Sequence, residues 1–175
     1  MNPLNHFIFA VSLTLVAVGP HTYSTVLAVL VTSLIFSVLI DLDHLINKRG
    51  PRHHKRTWIQ EPLGLVLIGI PLATLLYRLT ASISAFYMII VPYASHILLD
   101  YLCVFEADPL SPITKRFRKK EGLGIFYPDS LVKGSNERYW NARVNERGYR
   151  AISENYFTPI ALALLTLAII NVALG

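Results

Sequence analysis

His96 and Asp100 lie four residues apart in the apolar stretch Ser95-His96-Ile97-Leu98-Leu99-Asp100. On a helix this spacing puts an imidazole and a carboxylate on one face. The pair can offer a cation one nitrogen and one oxygen from a rigid support, or Asp100 can hydrogen-bond His96 and fix packing. An aspartate at the centre of a membrane span costs ~2.5–3.5 kcal/mol on insertion scales, so it calls for a partner. A second group, Asp41-Leu42-Asp43-His44, ends another apolar run. Its two carboxylates repel each other, and a divalent cation would turn that crowding into binding energy. His6, His53, His54 and Glu61 are further ionisable groups at or near the ends of apolar runs. Each also has a plainer role open to it. His44 suits the negative end of a helix dipole, and Asp41 can orient a histidine rather than bind a metal. His53 and His54 can belong to a solvated basic loop, and Glu61 can be a helix N-terminal charge ahead of Pro62.

The elements that must position these groups are apolar helices. Of the 175 residues 53% are hydrophobic and only 15% charged, against about one quarter charged in a soluble domain. Apart from Arg78 and Asp100, the charges are excluded from five runs: Pro3 to Val18, Tyr23 to Ile40, Pro62 to Leu79, Ser84 to Phe105, and Phe157 to Leu174. This distribution predicts an all-α integral membrane protein, a single membrane domain over 1–175 with about five transmembrane helices. No basic residue precedes the first run, so it reads as a retained short helix rather than a secretory signal. Pro71 and Pro92 are expected to kink the third and fourth helices. The polar segment 106–155 is expected to be cytoplasmic and interfacial. Turns are expected around Pro109, Pro112, Gly122, Gly124 and Pro128. An amphipathic surface helix follows, where Tyr139, Trp140, Val144 and Tyr149 interleave with Arg138, Arg143, Arg147 and Arg150. The lone cysteine, Cys103, excludes a disulfide framework and a cysteine-based zinc site.

Charge sets the expected orientation. Of the 16 Lys and Arg, five fall between runs two and three, ten between runs four and five, and one, Arg78, between runs three and four. In a five-helix topology both basic loops share a side, and the positive-inside rule puts that side and the N-terminus in the cytoplasm. Five of the six histidines then reach the cytoplasmic face, from four separate segments, and His21 faces the other way. The net charge of +5 fits anionic lipid headgroups, and no nucleic-acid recognition motif accompanies it. Membrane lipids are the expected partners, and the sequence leaves the oligomeric state open.

In order, His6, Asp41-Leu42-Asp43-His44, His54-Lys55-Arg56-Thr57 and Ser95-His96-Ile97-Leu98-Leu99-Asp100 resemble the motifs of the YdjM-like membrane-bound metal-dependent hydrolases, over roughly residues 1–105. One position departs from that pattern: Trp58 stands where the family loop has a second histidine. Either His53 and His54 share the work, Glu61 substitutes, or one metal position is lost. The resemblance implies a divalent-metal site drawn from His6, Asp43, His44, His53, His54, His96 and Asp100. Zinc suits the mixed nitrogen and oxygen ligands best, with manganese or iron as alternatives. It further implies hydrolysis of a phosphate ester of a lipid or lipid-linked substrate, with Asp41 or Glu61 as proton acceptor. Lys55, Arg56, Lys115 and Arg116 would bind phosphate or headgroup. The competing readings are a metal-ion transporter, which needs midplane polar groups reachable from both sides, and a non-catalytic membrane subunit.

Overall fold

The computed structural model describes residues 3–19, 22–42, 57–103, 106–107, 120–121, 125–127 and 152–174. Five apolar helices carry the fold: α1 (Pro3–Val18), α2 (Tyr23–Ser37), α3 (Pro62–Thr80), α4 (Ile83–Leu102) and α5 (Phe157–Leu174). The last three are long and apolar enough to cross a membrane, whereas α1 and α2 are shorter. At ~1.5 Å per residue the 16 residues of α1 span about 24 Å, less than a hydrocarbon core of about 30 Å.

Local chemistry sets the helix boundaries. Thr22 caps α2, its hydroxyl accepting from the Thr25 N–H at 3.2 Å. Pro62 opens α3, where its missing N–H is no loss. Ala81 ends α3 in the left-handed region (φ 52°), its N–H donating to the Tyr77 carbonyl at 2.8 Å. The helices depart from the sequence reading in two informative places. The α-helical part of α2 stops at Ser37 rather than Ile40, and the chain tightens through Val38 into a 3₁₀ turn, Leu39–Leu42. Within α3 a π-helical turn occupies Leu65–Gly69, directly before Ile70-Pro71. Pro71 cannot donate to the Leu67 carbonyl and its ring crowds that group, so the preceding turn widens. The helix continues through Pro92 in α4.

Helix α1 is the hub, packed on α4, α5 and α2. Its buried hydroxyls are satisfied within the helix, Ser12 donating to the Ile8 carbonyl and Thr14 to that of Ala10, both at 2.7 Å. This lets a polar face pack tightly in an apolar environment. Around one end of α1, Ile8, Leu99, Cys103, Phe157 and Ala161 form a core, and around the other Val11, Leu15, Val18, Val29 and Ala168 form a second. Two hydrogen bonds fix helix directions. Ser84 Oγ meets the Val18 carbonyl at 3.1 Å, joining the end of α1 to the start of α4. Thr158 Oγ1 meets Asn5 Oδ1 at 2.9 Å, joining the starts of α1 and α5. The start of α1 therefore lies against the end of α4.

Short strands absent from the sequence reading complete the described residues. β1 (Glu106–Ala107) pairs antiparallel with β2 (Lys120–Glu121), and β3 (Phe126–Tyr127) pairs parallel with β4 (Ile152–Ser153). Ile125 also donates to the Leu102 carbonyl at 2.9 Å, tying this region to the end of α4. The predicted turns at Pro109, Pro112, Gly122, Gly124 and Pro128 and the amphipathic helix around Tyr139–Tyr149 lie outside the described residues.

Candidate metal centre

His6 sits in the first turns of α1, and His96 and Asp100 are successive turns of α4. The antiparallel packing of α1 on α4 brings them together with almost no exposure: 0% for each histidine and 4% for Asp100. The imidazole rings stack with centroids 4.5 Å apart and planes 29° from parallel. Asp100 reaches both, Oδ1 lying 3.2 Å from His6 Nε2 and Oδ2 lying 3.3 Å from His96 Nε2.

The early end of α2 gives His96 its orientation. His96 Nδ1 lies 3.0 Å from the carbonyl oxygen of Ser37. A carbonyl only accepts, so Nδ1 carries a proton and donates it there. The other ring nitrogen, Nε2, lies 3.3 Å from an Asp100 carboxylate oxygen. His6 is held in a comparable way. Neither of its ring nitrogens has a hydrogen bond of acceptable geometry among the described residues, although Nε2 is 3.2 Å from Asp100. Two buried imidazoles and one carboxylate thus converge at one point, a group that could hold a metal ion.

The donor set and its spacing fit a divalent ion. One ligand atom from each of His6, His96 and Asp100 can be chosen so that all lie within 4.8 Å of one another. Zinc bonds of about 2.0–2.1 Å in a tetrahedral array place ligand atoms about 3.3 Å apart, close to the two measured nitrogen–oxygen separations. The three candidate ligands among the described residues would leave further coordination positions to other groups or water.

The sequence profile of the YdjM inner membrane protein family matches residues 1–174. This chain belongs to the YdjM inner membrane protein family. No curated protein and no solved structure matches it. The family match extends well beyond the region 1–105 that carries the motifs, so α5 and the strands before it belong to the YdjM pattern as well.

The remaining candidate residues of this YdjM-family chain fall in two groups. Glu61 is described, fully buried, and accepts a hydrogen bond from the Tyr101 hydroxyl at 2.6 Å. Its carboxylate is outside the His6–His96–Asp100 cluster among the described residues, but Tyr101 directly follows Asp100. Asp41 lies in the 3₁₀ turn Leu39–Leu42, and its side chain is outside the description. Asp43, His44, His53, His54, Lys55, Arg56, Lys115 and Arg116 also lie outside the described residues.

Three supports of the site escape a reading by residue type. The Ser37 carbonyl orients His96. Gln60, fully buried, donates from Nε2 to the Ile40 carbonyl at 3.3 Å. The hydroxyl of Tyr93 donates to the Ile59 carbonyl. Together with Tyr101, these contacts fasten the segment Thr57–Glu61 to α4 and to the 3₁₀ turn. The available signal was the tyrosine pattern on α4: Tyr93 and Tyr101 flank His96 and Asp100 in an apolar helix, where a buried phenol seeks an acceptor.

Tyr101→Phe is expected to remove a charge-assisted hydrogen bond from buried Glu61. It should destabilise the protein by about 1.5–3 kcal/mol, read as a lower unfolding midpoint in detergent. Because Tyr101 is outside the His6–His96–Asp100 cluster, metal content should match wild type. An unchanged midpoint would mean that Glu61 does not depend on this phenol.

Proposed function

We propose that this protein is a membrane-embedded metal-dependent hydrolase, cleaving a phosphate ester of a lipid or lipid-linked substrate at the cytoplasmic membrane face. The observation that carries the reading is the convergence of two imidazoles and a carboxylate, His6, His96 and Asp100, inside a buried site with both histidine Nε2 atoms within 3.3 Å of Asp100 oxygens. His6, His96 and Asp100 hold the ion. Asp43, His44, His53 and His54 are the residues available to complete its coordination or hold a second one. When bound, a divalent ion, zinc before manganese or iron, supplies Lewis acidity to a water and to a phosphoryl oxygen.

The chain's own residues do the rest. The Ser37 carbonyl holds the His96 ring in one orientation, with Nε2 directed at Asp100. Glu61, oriented by Tyr101, or Asp41 accepts a proton from the attacking water. Lys55, Arg56, Lys115 and Arg116 hold the phosphate or an anionic headgroup. The two basic loops share a side in a five-span topology with a cytoplasmic N-terminus, and that side is where the substrate headgroup is met.

The test is elemental analysis beside turnover. Purified wild type should carry at least about one transition-metal ion per chain and release phosphate or a phosphorylated headgroup from phospholipid or polyprenyl-phosphate substrates. His96→Ala should lose more than about 100-fold in rate, since even the outer partners of metal ligands are worth 10–100-fold. Folded wild type with neither metal nor turnover sinks the reading. Saturable metal uptake into liposomes with no turnover would replace it with a transporter.

A further inference from the structure

Beside the metal centre is a crevice of about 240 Å³. Phe36 and Tyr93 stack along it with ring centroids 6.0 Å apart, and Ile35, Leu39, Ile59 and Ile68 line it further. Its lining is almost wholly apolar, and it is open rather than enclosed. Two of its residues adjoin the metal centre along the chain. Phe36 precedes Ser37, whose carbonyl holds His96, and Tyr93 lies one helical turn before His96 on α4.

The surroundings of the opening identify the occupant. Leu27, Leu30, Val31, Leu34 and Ile35 on α2 are exposed, as are Val66, Leu67, Ile70, Leu72 and Leu75 on α3. Exposed apolar surface on this scale, in a chain of an inner membrane protein family, is the surface that meets lipid. Ile35 and Leu39 belong to both that surface and the crevice lining, so the crevice is continuous with the lipid-facing surface. Its volume is below the roughly 300–1,000 Å³ of pockets for drug-sized ligands, which suits one chain and leaves no room for a headgroup.

We propose that this crevice seats one hydrocarbon chain of a phosphate-headed lipid while its headgroup lies at the His6–His96–Asp100 centre. The proposal rests on the hydrolase reading for what the headgroup does there, and it makes the substrate a lipid drawn sideways from the bilayer. Lipid tails are as apolar as the crevice walls, so the seat adds little affinity. It fixes the position of the headgroup relative to His96.

Photolabelling in phosphatidylcholine nanodiscs tests this. The probes are a monoalkyl phosphate with a mid-chain diazirine and a neutral alkyl diazirine of the same length. The phosphate probe should label Phe36, Ile59 and Ile68 preferentially, whereas the neutral probe should spread over exposed positions such as Leu34 and Leu75. Ile68→Trp, or Leu39→Trp if that variant fails to fold, should abolish crevice labelling and leave Leu75 labelling intact. Identical patterns from the two probes, or crevice labelling that survives both substitutions in folded protein, would overturn the seat. Metal content measured on the same samples separates the two readings. Metal-free wild type that still labels by headgroup loses the hydrolase reading and keeps the seat, whereas metal-loaded protein labelled identically by both probes loses the seat alone.

Discussion

Asp100→Ala protein is expected to purify with its divalent metal reduced to background, while Asp100→Asn keeps at most a weakly held fraction. Among the described residues Asp100 is the carboxylate that reaches both histidines, at 3.2 Å from His6 and 3.3 Å from His96. It is also the only negative charge in the His6–His96–Asp100 cluster. Removing it leaves two neutral imidazoles and takes away the charge that compensates a dication in a buried site. Loss of a residue that merely orients a metal ligand already weakens binding by about 10–100-fold, so loss of the carboxylate itself should exceed about 100-fold. Elemental analysis after dialysis against a graded chelator reads this directly, with His96→Ala as the companion variant. The expectation has a second half that separates metal binding from simple packing. Chelator should lower the unfolding midpoint of wild type and leave the midpoint of Asp100→Ala unmoved, because only a protein that binds metal is stabilised by it. Equal metal content in wild type and Asp100→Ala would dispose of the site.

The second large effect comes from a residue with no functional group. A methyl added at Gly64 would lie 2.7 Å from both the carbonyl carbon and the Cα of Ile59, with the Ile59 carbonyl oxygen nearer still. All of these are backbone atoms and cannot move aside as a side-chain tip would. Gly64→Ala must therefore displace the turn Trp58–Gln60 from the start of α3. Overpacking typically costs 1–3 kcal/mol, and contact with backbone puts this case at about 3 kcal/mol or more. The displaced turn carries Gln60 and Glu61, so the bonds to Ile40 and Tyr101 should weaken with it. Gly19 is the informative contrast. It has open space around the added methyl but a φ of +83°, so Gly19→Ala should cost only about 1–2 kcal/mol through the left-handed backbone. Unfolding midpoints of the two variants in one detergent check the order. Gly64→Ala at or above the stability of Gly19→Ala would contradict the close approach.

Much of this architecture is legible in the amino-acid sequence, for a reason particular to membranes. A bilayer excludes charge from whole stretches of chain, so the five apolar runs stand out and α1 and α5 occupy the stretches read from composition. Spacing alone also pairs His96 with Asp100, because a helix converts i, i+4 into adjacency. What spacing cannot supply is the partner from another helix. His6 joins the pair only because α1 packs antiparallel on α4, a tertiary fact that rests on contacts such as Ser84 with Val18. Backbone roles are equally hidden. The Ser37 carbonyl becomes a ligand-orienting group because α2 ends three residues before its apolar run does, and side-chain chemistry does not announce where a helix stops. The π turn at Leu65–Gly69 lies just before Pro71, a backbone response to the proline whose form residue type alone does not specify. Glu61 shows the opposite limit: its type suggested a proton acceptor, but its hydrogen bond to Tyr101 could not be read from a segment remote in sequence.

The hub position of α1 bears on how the protein is made. His6 leaves the ribosome long before Asp100 does, on a helix too short and too polar along one face to be at ease alone in lipid. Asn5 and His6 are buried in the finished fold, and their partners Thr158 and Asp100 come from α5 and α4, which are made later. During synthesis α1 is therefore expected to linger in the sheltered environment of the insertion machinery and to settle only when α4 threads in beside it. Under the proposed metal-binding role, metal capture would then report that the fourth helix is in place, since His6, His96 and Asp100 come together only through it.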